Sequence, residues 1–128
     1  MAKHNELGAL GEGIAERFLV KRGFEILHRN YRRPWGELDI VARYKGVVRF
    51  VEVKSVSYET SSGGKDIYRP EDNLHRDKVG RLKRIIQTYL MDKRVSDETI
   101  WQFDVAVVFI DEKIRRARVK FIEDIVLD

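Results

Sequence analysis

Two strand-like segments separated by only two residues constrain this sequence more than any other feature. Residues 37–44 and 47–54 both have the apolar alternation of β-strands, and Lys45-Gly46 lies between them. A two-residue connection containing glycine is typical of a tight β-hairpin. In such a hairpin the numbers of opposing residues have a constant sum, here 91, and that register places Asp39 opposite Glu52.

The second segment divides its side chains between two faces. Successive residues of a strand point to opposite sides, so Val51 and Val53 share one face while Glu52 and Lys54 share the other. The rise of a strand separates Glu52 from Lys54 by about 6–7 Å. The pair is therefore either a solvated ion pair or part of a site that includes Asp39.

Asp39 and Glu52, once brought together, repel each other and lose hydration. A hard divalent cation removes both penalties, and Mg²⁺ is commonly held by one or two carboxylates together with waters and phosphate oxygens. Lys54 could then orient or deprotonate a metal-bound water, or stabilise charge on a phosphate. These are the parts needed for metal-assisted phosphodiester hydrolysis, and a structural ion pair is the alternative.

The remaining segments predict an α/β fold. Apolar residues recur at helical spacing in two segments, and three further segments have strand patterns, one of them a nearly continuous apolar run typical of a buried strand. The order is α-β-β-β-α-β-β, a mixed β-sheet with helices packed on it. The predicted helices cover about 7–19 and 79–90, and the predicted strands cover 24–31, 37–44, 47–54, 101–110 and 116–126.

Length and composition exclude several classes of protein. The 128 residues suit one domain over 1–128, with a long mobile loop at about 55–75, where serine and glycine replace large apolar residues. The absence of cysteine excludes a disulfide scaffold, a thiolate metal site and a cysteine nucleophile. Apolar runs fall far short of the roughly 20 residues of a membrane helix, and the first residues lack a signal-peptide pattern. We expect a soluble, cytoplasmic protein with no membrane partner.

Two acids outside the hairpin also stand out. Glu12 lies at the margin of the apolar face of the first helix, beside Gly8, Ala15 and Leu19. Small neighbours would let its carboxylate lean over the edge of the sheet, and an ordinary exposed helix acid is the alternative. Asp104 opens the buried strand, where a cap or a pair with an arginine accounts for it without catalysis.

Basic residues concentrate in two parts of a chain whose formal net charge is +4. Arg32, Arg33 and Trp35 combine cations with an aromatic ring, which suits phosphate contact and base stacking. Lys78 and Arg81 lie on the second helix, away from its apolar stripe. We expect these five residues to contact nucleic acid. The alternatives are a loop in which Trp35 covers the edge of the core and a solvated helix face.

Taken together, these motifs resemble the YraN-like family, a group of small uncharacterised bacterial proteins. That family is placed in the PD-(D/E)xK restriction-endonuclease-like superfamily, near the archaeal Holliday-junction resolvases. The resemblance covers nearly the whole chain and implies a restriction-endonuclease-like mixed β-sheet flanked by helices. It is carried by Gly8-x-x-Gly11-Glu12-x-x-Ala15, Gly36-Glu37-Leu38-Asp39, Phe50-Val51-Glu52-Val53-Lys54, the helix from Lys78, and Phe103-Asp104-Val105.

The resemblance also implies roles for individual residues. Asp39 and Glu52 are similar to the metal-binding catalytic acids, and the backbone carbonyl of Val53 to a further ligand of Mg²⁺ or Mn²⁺. Glu12 resembles the helix glutamate that completes the metal site in resolvase-like members. Lys54 resembles the catalytic lysine of the motif.

By the same resemblance we expect a metal-dependent endonuclease that hydrolyses phosphodiester bonds in DNA, with branched, Holliday-junction-like DNA as a candidate substrate and a homodimer as the assembly. The alternative is a non-catalytic nucleic-acid-binding or adaptor protein that retains the nuclease fold. Two departures are notable: Val56 stands where members often carry an arginine, and Pro34 lies five residues before Asp39. Glu37, on the same strand face as Asp39, is a further candidate.

Overall fold

A computed structural model describes residues 3–58 and 76–127 and contains one mixed five-stranded sheet with two helices. The strands are arranged in the order β1-β2-β3-β4-β5, and only the β3–β4 pair is parallel among them. The element order confirms the predicted fold class. No helix in these two ranges is long and apolar enough to cross a membrane. The elements are α1 Lys3–Lys21, β1 Glu25–Arg33, β2 Gly36–Tyr44, β3 Val47–Ser57, α2 Arg76–Asp92, β4 Trp101–Asp111 and β5 Arg116–Ile122.

The turn between β2 and β3 has the geometry that a two-residue hairpin requires. Lys45 and Gly46 both have positive φ angles, 50° and 80°, as in a type I′ turn, whose twist matches that of the strands. From the turn out to the pair Ile40↔Val51, partner numbers sum to 91. The predicted register is therefore confirmed from the turn as far as Ile40↔Val51, and the predicted pair of Asp39 with Glu52 lies just beyond the regular ladder.

Strand β3 is longer than the sequence pattern predicted. It pairs with β4 as far as Ser57↔Ile110, and the Tyr58 amide then donates to the Ile110 carbonyl at 3.0 Å. The predicted strand end at residue 54 is therefore wrong, because partners on β4 continue to stabilise the extended backbone of polar residues 55–57. The rest of the predicted 55–75 loop, from residue 59, lies outside the described residues.

The two helices cover opposite faces of the sheet, and each inserts one apolar stripe. The β-strands contribute alternate side chains to the two resulting clusters. The cluster beneath α1 includes Ala15, Leu19, Val51, Ala106 and Val108. The cluster beneath α2 includes Phe50, Leu82, Ile85, Ile86, Tyr89 and Phe103.

A buried ion pair ties β3 to β4 on the α1 side. Arg49 Nε lies 3.0 Å from Asp104 Oδ2, without the alignment of a hydrogen bond, and both residues are buried. Asp104 Oδ1 accepts hydrogen bonds from Gln102 Nε2 at 2.9 Å and from the Asp124 amide at 2.8 Å. Arg49 also contacts Glu123 just after β5. The expected pairing of Asp104 with an arginine is confirmed.

Helix α1 crosses β3 at a glycine. A Cβ atom on Gly11 would lie 1.8 Å from Ser55 Oγ and 3.0 Å from Ser55 Cβ, far closer than side chains approach one another. One turn earlier, a Cβ atom on Gly8 would meet no heavy atom within 4 Å. Gly8 and Gly11 therefore make a matched pair, of which only Gly11 is required by packing.

We predict that Gly11→Ala lowers the free energy of unfolding by about 1–3 kcal/mol through overpacking. Gly8→Ala, the control, should raise it by about 0.5–1 kcal/mol because alanine is the better helix former. Ser55→Gly in the Gly11→Ala background should recover most of the loss, since the next atom, Ser55 Cα, is 3.7 Å away. Urea unfolding followed by circular dichroism measures all three. Equal gains for both alanine variants would contradict the packing described here.

Candidate active site

The regular pairing of β2 with β3 is interrupted at Asp39. Beyond Ile40↔Val51, the register would assign Leu38 as the partner of Val53, but the Val53 amide instead donates to Asp39 Oδ2 at 2.8 Å. A carboxylate oxygen thus takes the place of a backbone carbonyl. As a result, the Asp39 carboxylate lies against the peptide that joins Glu52 to Val53.

Both neighbouring strands are distorted at this level. Leu38 and Ile40 are two residues apart and should share a face, yet Leu38 packs in the α2 cluster and Ile40 in the α1 cluster. On β1, Asn30 lies between the partners of these two residues and has a positive φ of 53°. The sheet is therefore locally rotated around Asp39, which strand alternation alone does not predict.

The surroundings of Asp39 oppose its ionisation. The pKa of this carboxyl is raised from its usual 3.8 to about 7, chiefly by burial and also by the charges of Glu12, Glu52 and Glu37. The hydrogen bond from Val53 acts in the opposite direction. Three acids thus lie near enough to Asp39 to disfavour a further negative charge, and a cation placed among them would relieve that repulsion.

Glu52 faces two lysines that come from different elements. Lys54 Nζ, on the same strand face, lies 4.0 Å from Glu52 Oε2. Lys78 Nζ reaches across from the first turns of α2 and lies 3.4 Å from Oε1 and 3.5 Å from Oε2. Glu52 and Lys54 lie close together, as the spacing along β3 predicted. The contact with Lys78 could not be predicted from that spacing, because Lys78 belongs to α2.

Glu12 is close to this group but has its own partner. Its carboxylate lies 3.5 Å from the Arg29 guanidinium, which also donates to Glu16 at 3.3 Å. Arg29 is thus a residue near the site that the sequence analysis did not single out. The signal that could have indicated it is a basic residue on β1, the strand that follows the helix carrying Glu12 and Glu16. The role of Glu12 as a ligand stays a prediction.

A hard cation could be held here by two carboxylates. Within residues 3–58 and 76–127, no three His, Cys, Asp or Glu side chains converge closely enough to form a metal-binding cluster. Asp39 and Glu52, with the backbone of Val53 between them, form a smaller oxygen donor set. Mg²⁺ accepts such a set when waters and phosphate oxygens supply its other ligands.

A groove of about 380 Å³ opens beside Glu52. Trp35, Glu37 and Glu52 line its sheet side, while Lys78 and Arg81 line its helix side. Three of the five residues predicted to contact nucleic acid, Trp35, Lys78 and Arg81, therefore share one surface with Glu52.

The two arginines at the end of β1 and the nearby Trp35 have other contacts as well. Arg33 donates to Asp92 at 3.0 Å, which ties β1 to the end of α2. Exposed Arg32 pairs with Glu37 at 3.3 Å on the rim of the groove. Trp35 packs against the core cluster beneath α2, so the alternative in which it covers the core edge describes much of its environment.

The high pKa of Asp39 has a predictable effect on stability. An acid that binds its proton more tightly in the folded chain stabilises the fold when protonated, so the free energy of unfolding falls as the pH rises from 3.8 through about 7. Asp39→Asn should therefore gain stability relative to wild type between about pH 4 and pH 8, by at most about 4 kcal/mol.

Urea unfolding in metal-free buffer across that range measures the gain. Glu25→Gln removes an exposed carboxylate on β1 and serves as the control. Its free energy of unfolding should depend on pH in the same way as that of wild type. A constant difference between Asp39→Asn and wild type at all pH values would show that Asp39 has an ordinary pKa.

Comparison with known sequences confirms the resemblance. The sequence profile of the Uncharacterised protein family UPF0102 matches residues 11–108. The UPF0102 protein of Dictyoglomus turgidum is 34% identical over 110 residues, covering 86% of this chain and 87% of its own. That of Desulfosudis oleivorans is 39% identical over 106 residues, covering 83% and 80%, and that of Caldicellulosiruptor bescii is 31% identical over 119 residues, covering 93% and 95%. The chain therefore belongs to the UPF0102 family, which is the YraN-like family that its motifs resemble.

Proposed function

We propose that this protein is a metal-dependent endonuclease that hydrolyses phosphodiester bonds in DNA. The observation that carries the proposal is the hydrogen bond from the Val53 amide to Asp39 Oδ2. It holds the Asp39 carboxylate against the peptide that follows Glu52. At this point β2 and β3 stop pairing regularly, and the groove beside Glu52 begins. Asp39 and Glu52 would hold Mg²⁺ or Mn²⁺, with the Val53 carbonyl and Glu12 as the further ligands that the family resemblance implies.

The chain's own residues supply the rest of the chemistry. A metal bound at these oxygens would lower the pKa of a coordinated water and polarise the phosphate. As an ammonium ion beside Glu52, Lys54 would stabilise the negative charge that builds on the phosphate oxygens during displacement. The half-buried position of Asp39 strengthens these interactions because water screens charges less effectively there than in open solvent.

The groove supports nucleic acid as the substrate. Lys78 and exposed Arg81 present positive charge along its helix side, directly beside Glu52. Cations aligned next to a metal site suit a phosphodiester backbone, for which binding is strongly salt-dependent. Branched DNA as the preferred substrate and a homodimer as the assembly stay predictions from the family resemblance.

We predict cleavage of supercoiled plasmid, duplex or four-way junction DNA in Mg²⁺ or Mn²⁺. Glu52→Gln and Asp39→Asn each remove an acid of similar size, and Lys54→Met removes the ammonium while keeping most of the stem. Each should lower the cleavage rate by at least about 100-fold. Glu25→Gln, a surface acid on β1, should cleave like wild type.

Metal binding separates this proposal from the adaptor alternative. Isothermal titration of Mn²⁺ should show binding by wild type that Asp39→Asn and Glu52→Gln each weaken, while circular dichroism confirms their fold. Salt-dependent DNA binding by a wild type that cleaves none of the substrates in either metal would favour the non-catalytic adaptor. Cleavage by the site variants at the wild-type rate would place the activity elsewhere.

A further inference from the structure

Glu52 has two ammonium partners, Lys54 from its own strand and Lys78 from α2 across the groove. Lys78 Nζ lies within 3.5 Å of both Glu52 carboxylate oxygens, so one cation spans the whole carboxylate. The two side chains are 28% and 22% exposed, which leaves the pair at the groove surface rather than locked in the core. Such a pair can open without unfolding the helix.

We propose that Lys78 is an internal counter-ion that a divalent metal must displace from Glu52, and that a DNA phosphate in the groove assists by binding the released ammonium. The inference rests on the proposed function. In the free protein, Lys78 occupies the carboxylate oxygens that a metal would need. With DNA bound, a phosphate oxygen becomes a competing partner for the same ammonium, and Glu52 becomes available.

The charges at the groove favour this exchange. A dication at Glu52 would face both Lys54 and Lys78 if neither moved, which costs Coulomb energy at short range. Lys54 approaches one Glu52 oxygen at 4.0 Å, whereas Lys78 lies within 3.5 Å of both oxygens and lines the groove itself. Lys78 is thus the partner that blocks the carboxylate, and a phosphate in the groove, between Lys78 and Arg81, would give its ammonium another partner.

Thermodynamic linkage gives this arrangement a measurable consequence. A ligand that removes Lys78 from Glu52 raises the affinity for metal, and by reciprocity metal raises the affinity for that ligand by the same factor. Lys78 would then act as a positioning residue that makes metal binding in the absence of DNA weak.

The test is the affinity for Mn²⁺, measured by isothermal titration without DNA and with a non-cleavable four-way DNA junction. Lys78→Met should bind Mn²⁺ about 3- to 10-fold more tightly than wild type without DNA, and the enhancement caused by the junction should shrink by a similar factor. Lys78→Arg keeps the charge and can hold both carboxylate oxygens, so it should bind Mn²⁺ no more tightly than wild type. Lys83→Met removes one exposed charge from another side of α2 and should also match wild type.

The outcomes separate this inference from the proposed function. If wild type binds Mn²⁺ and Lys78→Met binds it equally or more weakly, the counter-ion role is wrong while the metal site stands. If Lys83→Met tightens binding as much as Lys78→Met, general surface charge is the cause and the role is again wrong. If wild type binds no Mn²⁺ with or without the junction, the proposed function fails and this inference fails with it.

Discussion

Strand β3 pairs in parallel with β4 over residues 48–57 and antiparallel with β2 over residues 47–51, and the rest of the molecule depends on this pairing. The register with β4 fixes each side chain of β3 to one face of the sheet, including those beyond the end of the pairing with β2. Ser55 is thereby held beneath α1, where it leaves room only for Gly11. Glu52 is held on the opposite face, within reach of Lys78 on α2. A shift of one residue in this register would exchange the faces and abolish both arrangements together.

The candidate site lies where this regularity stops. Asp39 accepts the hydrogen bond of the Val53 amide, Leu38 packs towards α2, and Asn30 on β1 has a positive φ. A residue such as Asn30 pays a conformational cost of about 1–3 kcal/mol, which the surrounding structure must offset. Local departures of this kind gather where a fold presents polar groups for chemistry. The distortion brings a carboxylate into the sheet at a position where a regular β2 would place only backbone.

Sequence arithmetic could predict the part of the site that one hairpin determines. The two residues at the turn fix the register, and the register brings Asp39 to Glu52 and Val53. Contacts between elements that are distant along the chain could not be predicted in the same way. Lys78 on α2 contacts Glu52 across 26 positions, and Arg29 on β1 contacts Glu12 on α1. Both contacts depend on how the helices pack on the sheet. The continuation of β3 to Ser57 escaped prediction for a similar reason, since its stabilising partner is β4.

The negative charges of Asp39 and Glu52 are offset in different ways. Asp39 is half-buried, and its surroundings raise its pKa to about 7. Glu52 is also half-buried and lies beside two lysines. A proton and a movable ammonium are both exchangeable, so neither acid is committed to a permanent structural partner in the way that Asp104 is committed to buried Arg49. In the proposed function, a dication held by both carboxylates would take the place of Lys78 at Glu52. Metal binding would then depend on phosphate, because a phosphate oxygen competes with Glu52 for the same ammonium.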